Sequence, residues 1–392
     1  MNILIISNLF PPDFNGGAEK VAMRSAEFLS KNNKVSVLTT GTKNGIERVS
    51  TKNYPIIKIQ YQNIYNFGLE TSNNLIKFLW HTVNKFGGIR YTVLFKIIKE
   101  TKPNIIYLHN SMAFMPQLIE IARKLKIPIC AHIHDYSYIC VRNCMFNSGR
   151  ICQTQCKKCK LFNPLSNVDK SPIVTSVYVS HALKMIYERN CVFTNKSVVM
   201  HNIEPSNGIT NFNKKNLNFS RITFGFIGAI LKEKGIEVLL ESFTNKELEN
   251  SELIIAGNGN CEYIKKLKEK YSNKNIRWLG QVQPNDFYKE IDILVVPSVW
   301  EEPQALVLIE AINRRIPIVS SNKGGSPEII KKFSAGLIYD TDSKNALSDI
   351  LKKINDQKIN LLNITPKKLS LDEMEDSYFR EVEGILIESS QT

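Results

Sequence analysis

The sequence predicts two α/β domains in tandem, each a parallel sheet with helices on both faces. Three observations carry that expectation. Short continuous apolar runs alternate with segments of helical period, the pattern of strands buried on both faces. The alternation comes in two series, separated after residue 203 by the polar, Asn-rich stretch EPSNGITNFNKKNLNFS, which reads as a linker. The length, 392 residues, suits two ordinary domains.

The first series opens with the strand NILIIS, the turn-rich loop PPDFNGG, the helix AEKVAMRSAEFLSKN and the buried strand KVSVLTTG. It continues as LFKIIKETKP and NIIYLHN, PQLIEIARKLK and IPICAHIH, then VTSVYVS and SVVMHNI. The second runs RITFGFIGA, GIEVLLESF, SELIIAGNG, YIKKLKEKY, NIRWLG, FYKEIDILVVPS, QALVLIEAINRR and IPIVSS. The acidic LDEMEDSYFREVEGILIES reads as a final amphipathic helix. The boundaries expected are therefore 1–203 for the first domain, 221–370 for the second and 371–392 for a terminal helix that crosses back to the first domain.

Composition excludes several classes. At 43% hydrophobic and 22% charged residues the chain is globular, not disordered. No apolar run is long enough to span a bilayer. MNILIISNLFPP lacks a basic n-region and an A-x-A-like cleavage site, so a cytoplasmic location is expected. Residues 1–200 hold 26 Lys and Arg against 10 Asp and Glu, so they carry +16 and the remainder −2. That asymmetry points to an anionic partner for the first domain: a membrane surface, a nucleic acid or a phosphorylated substrate. The bland alternative is a lysine-rich surface kept for solubility.

Five of the eight cysteines, Cys140, Cys144, Cys152, Cys156 and Cys159, fall within twenty residues, an insert at about 140–160. In a reducing compartment such a cluster reads as a metal site before disulfides. Cys156-x2-Cys159 has zinc-ligand spacing, and Cys152 with Cys140 or Cys144 would complete a tetrahedron. The alternative is a loop of reduced, unligated thiols. Cys130, Cys191 and Cys261 stand alone and are expected to pack as small hydrophobes.

Asn15-Gly16-Gly17 lies between the first strand and its helix, where glycines admit a close ligand and a helix N-terminus offers N–H donors. It is not G-x-G-x-x-G, which weakens a nicotinamide or flavin reading. A plain tight turn is the alternative. In the second half Gly228 ends FGFIG and Lys234-Gly235 opens GIEVLLESF, an anion cradle at the carboxyl edge of a sheet. Glu302 and Glu310 are spaced E-x7-E across PQALVLI. If the helix begins near Ala305, they reach successive parts of one elongated ligand, with diols as natural partners. A solvated helix face is the alternative for Glu310. The apolar neighbours Leu306, Val307, Leu308, Ile309 and Ala311 argue against it.

With these motifs the chain resembles the family 4 retaining glycosyltransferases, whose GT-B fold sets two Rossmann-like domains across a cleft. The resemblance runs from the first strand to about residue 340. It is carried by PPDFNGGAEKV, PICAHIHDYSYIC, VYVSHAL, VVMHN, FGFIGAILKEKGIEVLLES, LIIAGNG and VVPSVWEEPQALVLIEAINRRIPIVSSNKGGSPEII. It implies a hexosyltransferase of cell-surface polysaccharide or O-antigen and lipopolysaccharide synthesis, which takes a UDP- or GDP-linked sugar. The acceptor implied is a glycan or a polyprenyl-linked glycan. It also implies roles: Glu310 on the ribose, Glu302 on the transferred sugar, Lys234 and the backbone of Ala305, Leu306 and Val307 on the diphosphate. Gly228 lies in the same cradle, Gly16 and Gly17 face the phosphates, and His134 stands beside the reacting sugar with Asp135 on the acceptor side. Where the family carries an arginine after the FGFIG glycine, this chain has Ala229, and Lys232 is the nearest substitute.

The chemistry implied uses no catalytic metal, because Lys234 and helix N-termini stabilise the leaving diphosphate, and no D-x-D motif with metal-binding context is visible. Front-side substitution within an ion pair replaces a double displacement. The one inorganic partner expected is a structural zinc on Cys140, Cys152, Cys156 and Cys159, with Cys144 as an extra thiol. His109, His132, His181 and His201 read as structural or supporting, and a core histidine is the alternative for His134. The aromatic and basic stretch LIKFLWHTVNKFGGIRYTVLFKIIK reads equally as core helix or as membrane-facing surface. The expected place is the inner face of the cytoplasmic membrane, held peripherally by anionic lipid. The rival readings are a nucleotide-sugar epimerase or phosphorylase of the same fold and, from another class, a nucleic-acid-binding protein. The basic half suits the last, but no RNA-binding signature accompanies it.

Overall fold

The computed structural model describes residues 1–12, 16–64, 73–147, 149–163, 165, 169–190, 193, 195–204, 221–244, 248, 250–367 and 370–392. Asn15, Cys191 and the linker after Glu204 lie outside these residues. The chain divides into two compact units. Met1–Met145, Cys152–Asn202 and Glu375–Thr392 form the first, and Phe146–Ile151 with Ile203–Met374 the second.

The first unit is built on β1 (Asn2–Ile6), α1 (Gly17–Leu29), β2 (Lys34–Gly41), β3 (Ile46–Ser50), β4 (Pro55–Gln60), α2 (Asn74–Phe86), α3 (Tyr91–Thr101), β5 (Ile105–Leu108), α4 (Gln117–Leu125) and β6 (Ile129–Ile133). Beyond a short ribbon, β7 (Phe146–Asn147) with β8 (Arg150–Ile151), come α5 (Lys157–Phe162), β9 (Ile173–Tyr178), α6 (His181–Arg189) and β10 (Lys196–Val199). The sheet order is β10-β9-β6-β5-β1-β2-β4-β3, parallel except for β3 against β4. Central β5 and β6 are buried along their whole length, as the apolar run IIYL and the run ICAHI, interrupted by His132, require. Edge strand β3 instead alternates between exposed and half-buried residues.

The second unit holds β11 (Ile222–Ile227), α7 (Ile236–Thr244), β12 (Ser251–Ala256), α8 (Cys261–Lys270), β13 (Ile276–Gly280), α9 (Pro284–Glu290), β14 (Ile293–Val296), α10 (Leu306–Asn313), β15 (Ile318–Ser321), α11 (Ser326–Phe333), β16 (Gly336–Tyr339) and α12 (Ala346–Asn355). Its all-parallel sheet has the order β13-β12-β11-β14-β15-β16, the doubly wound Rossmann arrangement. Two cores flank it because successive strand residues face opposite sides. Leu253 and Ile255 pack with Phe224, Leu239 and Val295, whereas Ile254 packs with Phe287, Leu294 and Leu308.

The last helix, α13 (Leu371–Ser390), carries its residues from Glu375 onward in the first unit. Phe379 stacks on Phe28 of α1 at 5.3 Å between ring centres, and Arg24 ion-pairs with Glu375. Ser389 and Thr175 share a 2.8 Å hydrogen bond. One cysteine departs from expectation. Cys130 is buried as a small hydrophobe, but Cys261 is exposed, because it occupies the solvent-facing first turn of α8.

Candidate active site

In the second unit the strand order reverses between β11 and β14, so the loops leaving those strands diverge and open a crevice. Gly228 follows β11, and a short 3-10 turn, Lys232–Lys234, leads to Gly235. Gly235 has φ +73°, and a Cβ there would stand 1.8 Å from the Pro297 carbonyl oxygen beyond β14. Only glycine lets the two loops approach so closely. Across that contact Lys234 ion-pairs with Glu302. The Lys234 side chain is 26% exposed and that of Glu302 6%, so the ammonium faces out and the carboxylate supports it from below. The Ser298 hydroxyl donates to the second Glu302 oxygen at 2.6 Å. Gly324, at φ +62°, allows the loop after β15 to pass against the Glu302 backbone, and its N–H donates to Glu301 at 2.7 Å.

Glu302 lies in the loop before α10, and Glu310 lies inside that helix, whose N-cap is Ala305. Leu308, Ile309 and Ala311 are buried, whereas Leu306, Val307 and Glu310 keep partial exposure. The first N–H groups of α10 lack intrahelical acceptors, which makes Leu306 and Val307 donors for an anion. The Tyr288 hydroxyl donates to Glu310 at 2.9 Å. Burial, then the adjacent Glu310 charge, hold that phenol protonated. Arg314, one turn on, pairs with Glu204 at 3.0 Å. Lys232, the nearest cation to Ala229, lays its ammonium 5.9 Å from the Tyr263 ring.

In the first unit the reversal falls between β1 and β5. Gly16 is the N-cap of α1 and Gly17 its first residue. His109, just after β5, is fully buried, as is His132 in β6, and His134 follows β6. His109 Nδ1 and His134 Nε2 lie 2.9 Å apart, and the Asn202 amide donates to His134 Nδ1 at 3.4 Å. A neutral His134 that accepts at Nδ1 carries its proton on Nε2 and passes it toward His109. Burial drives the His134 imidazole down to about 3, so it stays neutral near pH 7. Burial lowers His109 and His132 as well. The ligating nitrogens of the three histidines lie within 4.8 Å of one another. Yet His132 and His134 are face-stacked at 4.3 Å and 23°, so their in-plane lone pairs run side by side and do not converge on one ion.

Beside this cluster a cavity of about 250 Å³ opens at the strand reversal, lined by Asn8, Asn110, Asp135, Trp80, His81 and Phe162 among others. Glu19 of α1 also lines it, and burial, with the Asp135 charge as a lesser cause, raises its carboxyl pKa. Asp135 accepts the Ser137 N–H at 2.8 Å and is likewise raised by burial. Amides, two carboxyls and aromatic faces together suit a polyhydroxylated ring. Cys140 and Cys159 form part of the wall, Cys144 and Cys152 are half-buried, and Cys156 is exposed.

Of the residues singled out from sequence, the structure brings Lys234 onto Glu302, and it sets Glu302 in the loop before α10 and Glu310 inside that helix. His134 and Asp135 both follow β6 but differ in partners. Sequence reasoning missed Ser298, Tyr288, Glu19 and Asn202 as supports, and read His109 only as structural or supporting without its partner. The motifs LHN and VVMHN held signals for His109 and Asn202, since polar residues closing buried strands of an α/β sheet lie at its functional edge.

Residues 209–368 match the family described as glycosyl transferases group 1. An uncharacterized 42.6 kDa protein in the cps region of Klebsiella pneumoniae is 25% identical over 333 residues, 84% of this chain and 87% of that protein. Sucrose-phosphate synthase from Thermosynechococcus elongatus superposes with a TM-score of 0.67 at 16% identity, over 99% of this chain and 97% of that one. Anabaena HepE, solved in complex with UDP and glucose, gives a TM-score of 0.66 at 14% identity, over 98% and 99%. These likenesses show the GT-B fold.

Proposed function

We propose that this chain, a group 1 glycosyltransferase of the GT-B fold, moves a hexose from a UDP- or GDP-linked donor to a glycan or polyprenyl-linked glycan, with retained configuration. The observation that carries the reading is the Lys234–Glu302 pair at the strand reversal of the second unit, beside the N-terminus of α10. There an outward ammonium and helix N–H groups meet the diphosphate. Cleavage of the anomeric C–O bond leaves an oxocarbenium-like sugar and a diphosphate whose added charge Lys234 and α10 stabilise without a metal ion. Glu310, half-buried one turn inside α10, accepts from the ribose diol, and Glu302 from hydroxyls of the sugar. Within the first unit, Gly16 and Gly17 at the start of α1 offer a phosphate-binding helix N-terminus, and His134 offers a neutral imidazole to a sugar hydroxyl. Asp135 serves the acceptor, for which the cavity of the first unit is the seat. The Klebsiella relative's place in a cps region favours cell-surface polysaccharide as the product.

Exposed residues of α2 favour work at a membrane. Leu75, Leu79, Val83 and Phe86 recur at helical spacing and are 66%, 44%, 37% and 72% exposed. Residues 1–200 carry +16, which suits the anionic inner leaflet. No helix among the described residues is long and apolar enough to cross a membrane, so the attachment proposed is peripheral.

A panel of UDP- and GDP-sugars with lipid-linked and free glycan acceptors tests the reaction, with the product anomer read by NMR. Glu310→Ala is expected to raise the donor KM at least about tenfold, the worth of one charged hydrogen bond. Lys234→Ala is expected to lower kcat by roughly 10²–10³. Both variants turning over the true donor at the unmodified rate would refute the site, and an inverted product would refute retention.

A further inference from the structure

We propose that the cavity of the first unit seats one acceptor sugar without negative charge, stacked on Trp80 and hydrogen-bonded to Glu19 and Asp135, and rejects uronic and phosphorylated sugars. Given that the acceptor occupies this cavity, the reading on which this rests, the lining residues decide which acceptors enter. At about 250 Å³ the cavity lies below the usual size of pockets for drug-sized ligands, so it takes one ring, not a chain. Helix α2 supplies most of the aromatic wall. Trp80 and His81 sit edge to face at 5.1 Å between ring centres, and His81 lies 5.8 Å from Phe162 of α5. Trp80 is half-buried, and the Asn63 amide anchors it by donating to the Trp80 carbonyl at 3.1 Å. A partly open indole in a cavity wall suits the apolar face of a pyranose.

Charge in the lining is of one sign. Glu19 of α1 is 7% exposed, Asp135 after β6 is half-buried, and no lysine or arginine stands among the described lining residues. Lys77 and Lys158, whose charges reach His81, are exposed and do not line the cavity. Burial is the first cause that keeps His81 neutral near pH 7, and it also raises both carboxyls. A carboxylate or phosphate on the sugar would add negative charge where two acids are already poorly solvated, and no cation in the lining would offset it. A neutral ring adds none. Its hydroxyls donate to the carboxyl oxygens, and donation to a charged acceptor is the stronger kind of hydrogen bond. Asn8 supplies the opposite polarity: its Oδ1 accepts the Ala113 N–H at 2.8 Å, which leaves its amide hydrogens to serve a sugar oxygen.

This local preference opposes the long-range one. Residues 1–200 carry +16, a field that draws anions toward the first unit from outside. Salt screens such a field beyond roughly 8–10 Å, whereas charges in a partly buried cavity are screened far less. Anions are therefore gathered at the surface and rejected in the cavity, so net charge alone would name the wrong acceptor.

The test is a titration of the full chain with methyl glucoside, methyl N-acetylglucosaminide, methyl glucuronide and glucose 6-phosphate, read by tryptophan fluorescence with and without UDP. At least one neutral glycoside is expected to bind about tenfold or more tighter than either anion. Trp80→Phe keeps a ring but should abolish the fluorescence change. Glu19→Gln and Asp135→Asn keep the shape, remove a charge and should narrow the gap between neutral and anionic sugars. Saturation-transfer NMR reads the same preference in the unsubstituted chain, should a variant misfold. Failure of every neutral glycoside to bind, equal or tighter binding of the glucuronide, a fluorescence change that persists in Trp80→Phe, or an unchanged gap in both carboxamide variants would overturn the proposal. UDP binding is measured separately by calorimetry. Its failure would refute the transferase reading and leave the cavity's preference as measured, whereas bound UDP with the glucuronide preferred would refute this assignment alone.

Discussion

At His134 a single motif residue depends on neighbours far away in sequence: His109 lies 25 residues before it and Asn202 lies 68 after. The three buried imidazoles carry a testable consequence. Their folded pKa values lie below the ordinary 6.5, so the unfolded chain binds more protons between 6.5 and the folded values. Stability therefore rises with pH through that window; it is fully present above 6.5 and is lost toward about 3, the His134 value. The unfolding temperature is expected to drop steadily below pH 6.5, with proton uptake on unfolding in calorimetry. His132→Gln should flatten the slope, and an unchanged slope would argue that the carboxylates dominate.

Among the elements α2 shows what periodicity alone leaves open. Its aromatic and basic sequence suits a core helix or a membrane-facing one, because both need one apolar stripe. The structure leaves Leu75, Leu79, Val83 and Phe86 outward, while Phe78, also 49% exposed, meets Phe162 at 5.2 Å between ring centres. Substituting Leu79→Glu or Phe86→Glu should leave folding intact, since both side chains are exposed. Each should weaken flotation with anionic vesicles by at least about tenfold, given roughly 1.5–3 kcal/mol for burying a Leu or Phe. Equal flotation of wild type with neutral vesicles would sink the electrostatic part. In α10 the E-x7-E spacing was legible, with the helix starting at Leu306 as expected near Ala305. The hydroxyls that aim its carboxylates, Ser298 and Tyr288, were not, because they come from other elements.

Over the whole molecule the unit boundaries do not follow chain order. The final helix belongs from Glu375 onward to the first unit, where Phe379, Val382 and Leu386 are at most 2% exposed. Each is worth roughly 1.5–3 kcal/mol of burial, so together they rival a large share of the ~5–15 kcal/mol that holds a typical domain folded. Truncation before Glu375 is therefore expected to unfold the first unit while the second keeps its Rossmann core. Differential scanning calorimetry should show one transition lost and one retained. Survival of both would mean that α13 is an ornament.

What the amino-acid order determined by itself was everything local or periodic. The alternating strands and helices, the two series and their polar divider, and the spacings of Lys234, Glu302 and Glu310 depend on residues near one another in the chain. Strand order is not local. That β11 neighbours β14, and β1 neighbours β5, sets where each sheet opens. Only that arrangement puts Lys234 on Glu302 and Asn202 on His134. Ionisation follows the same rule. A sequence names a histidine, but its charge depends on how much water the surrounding chain removes, and desolvation is a property of the packed interior.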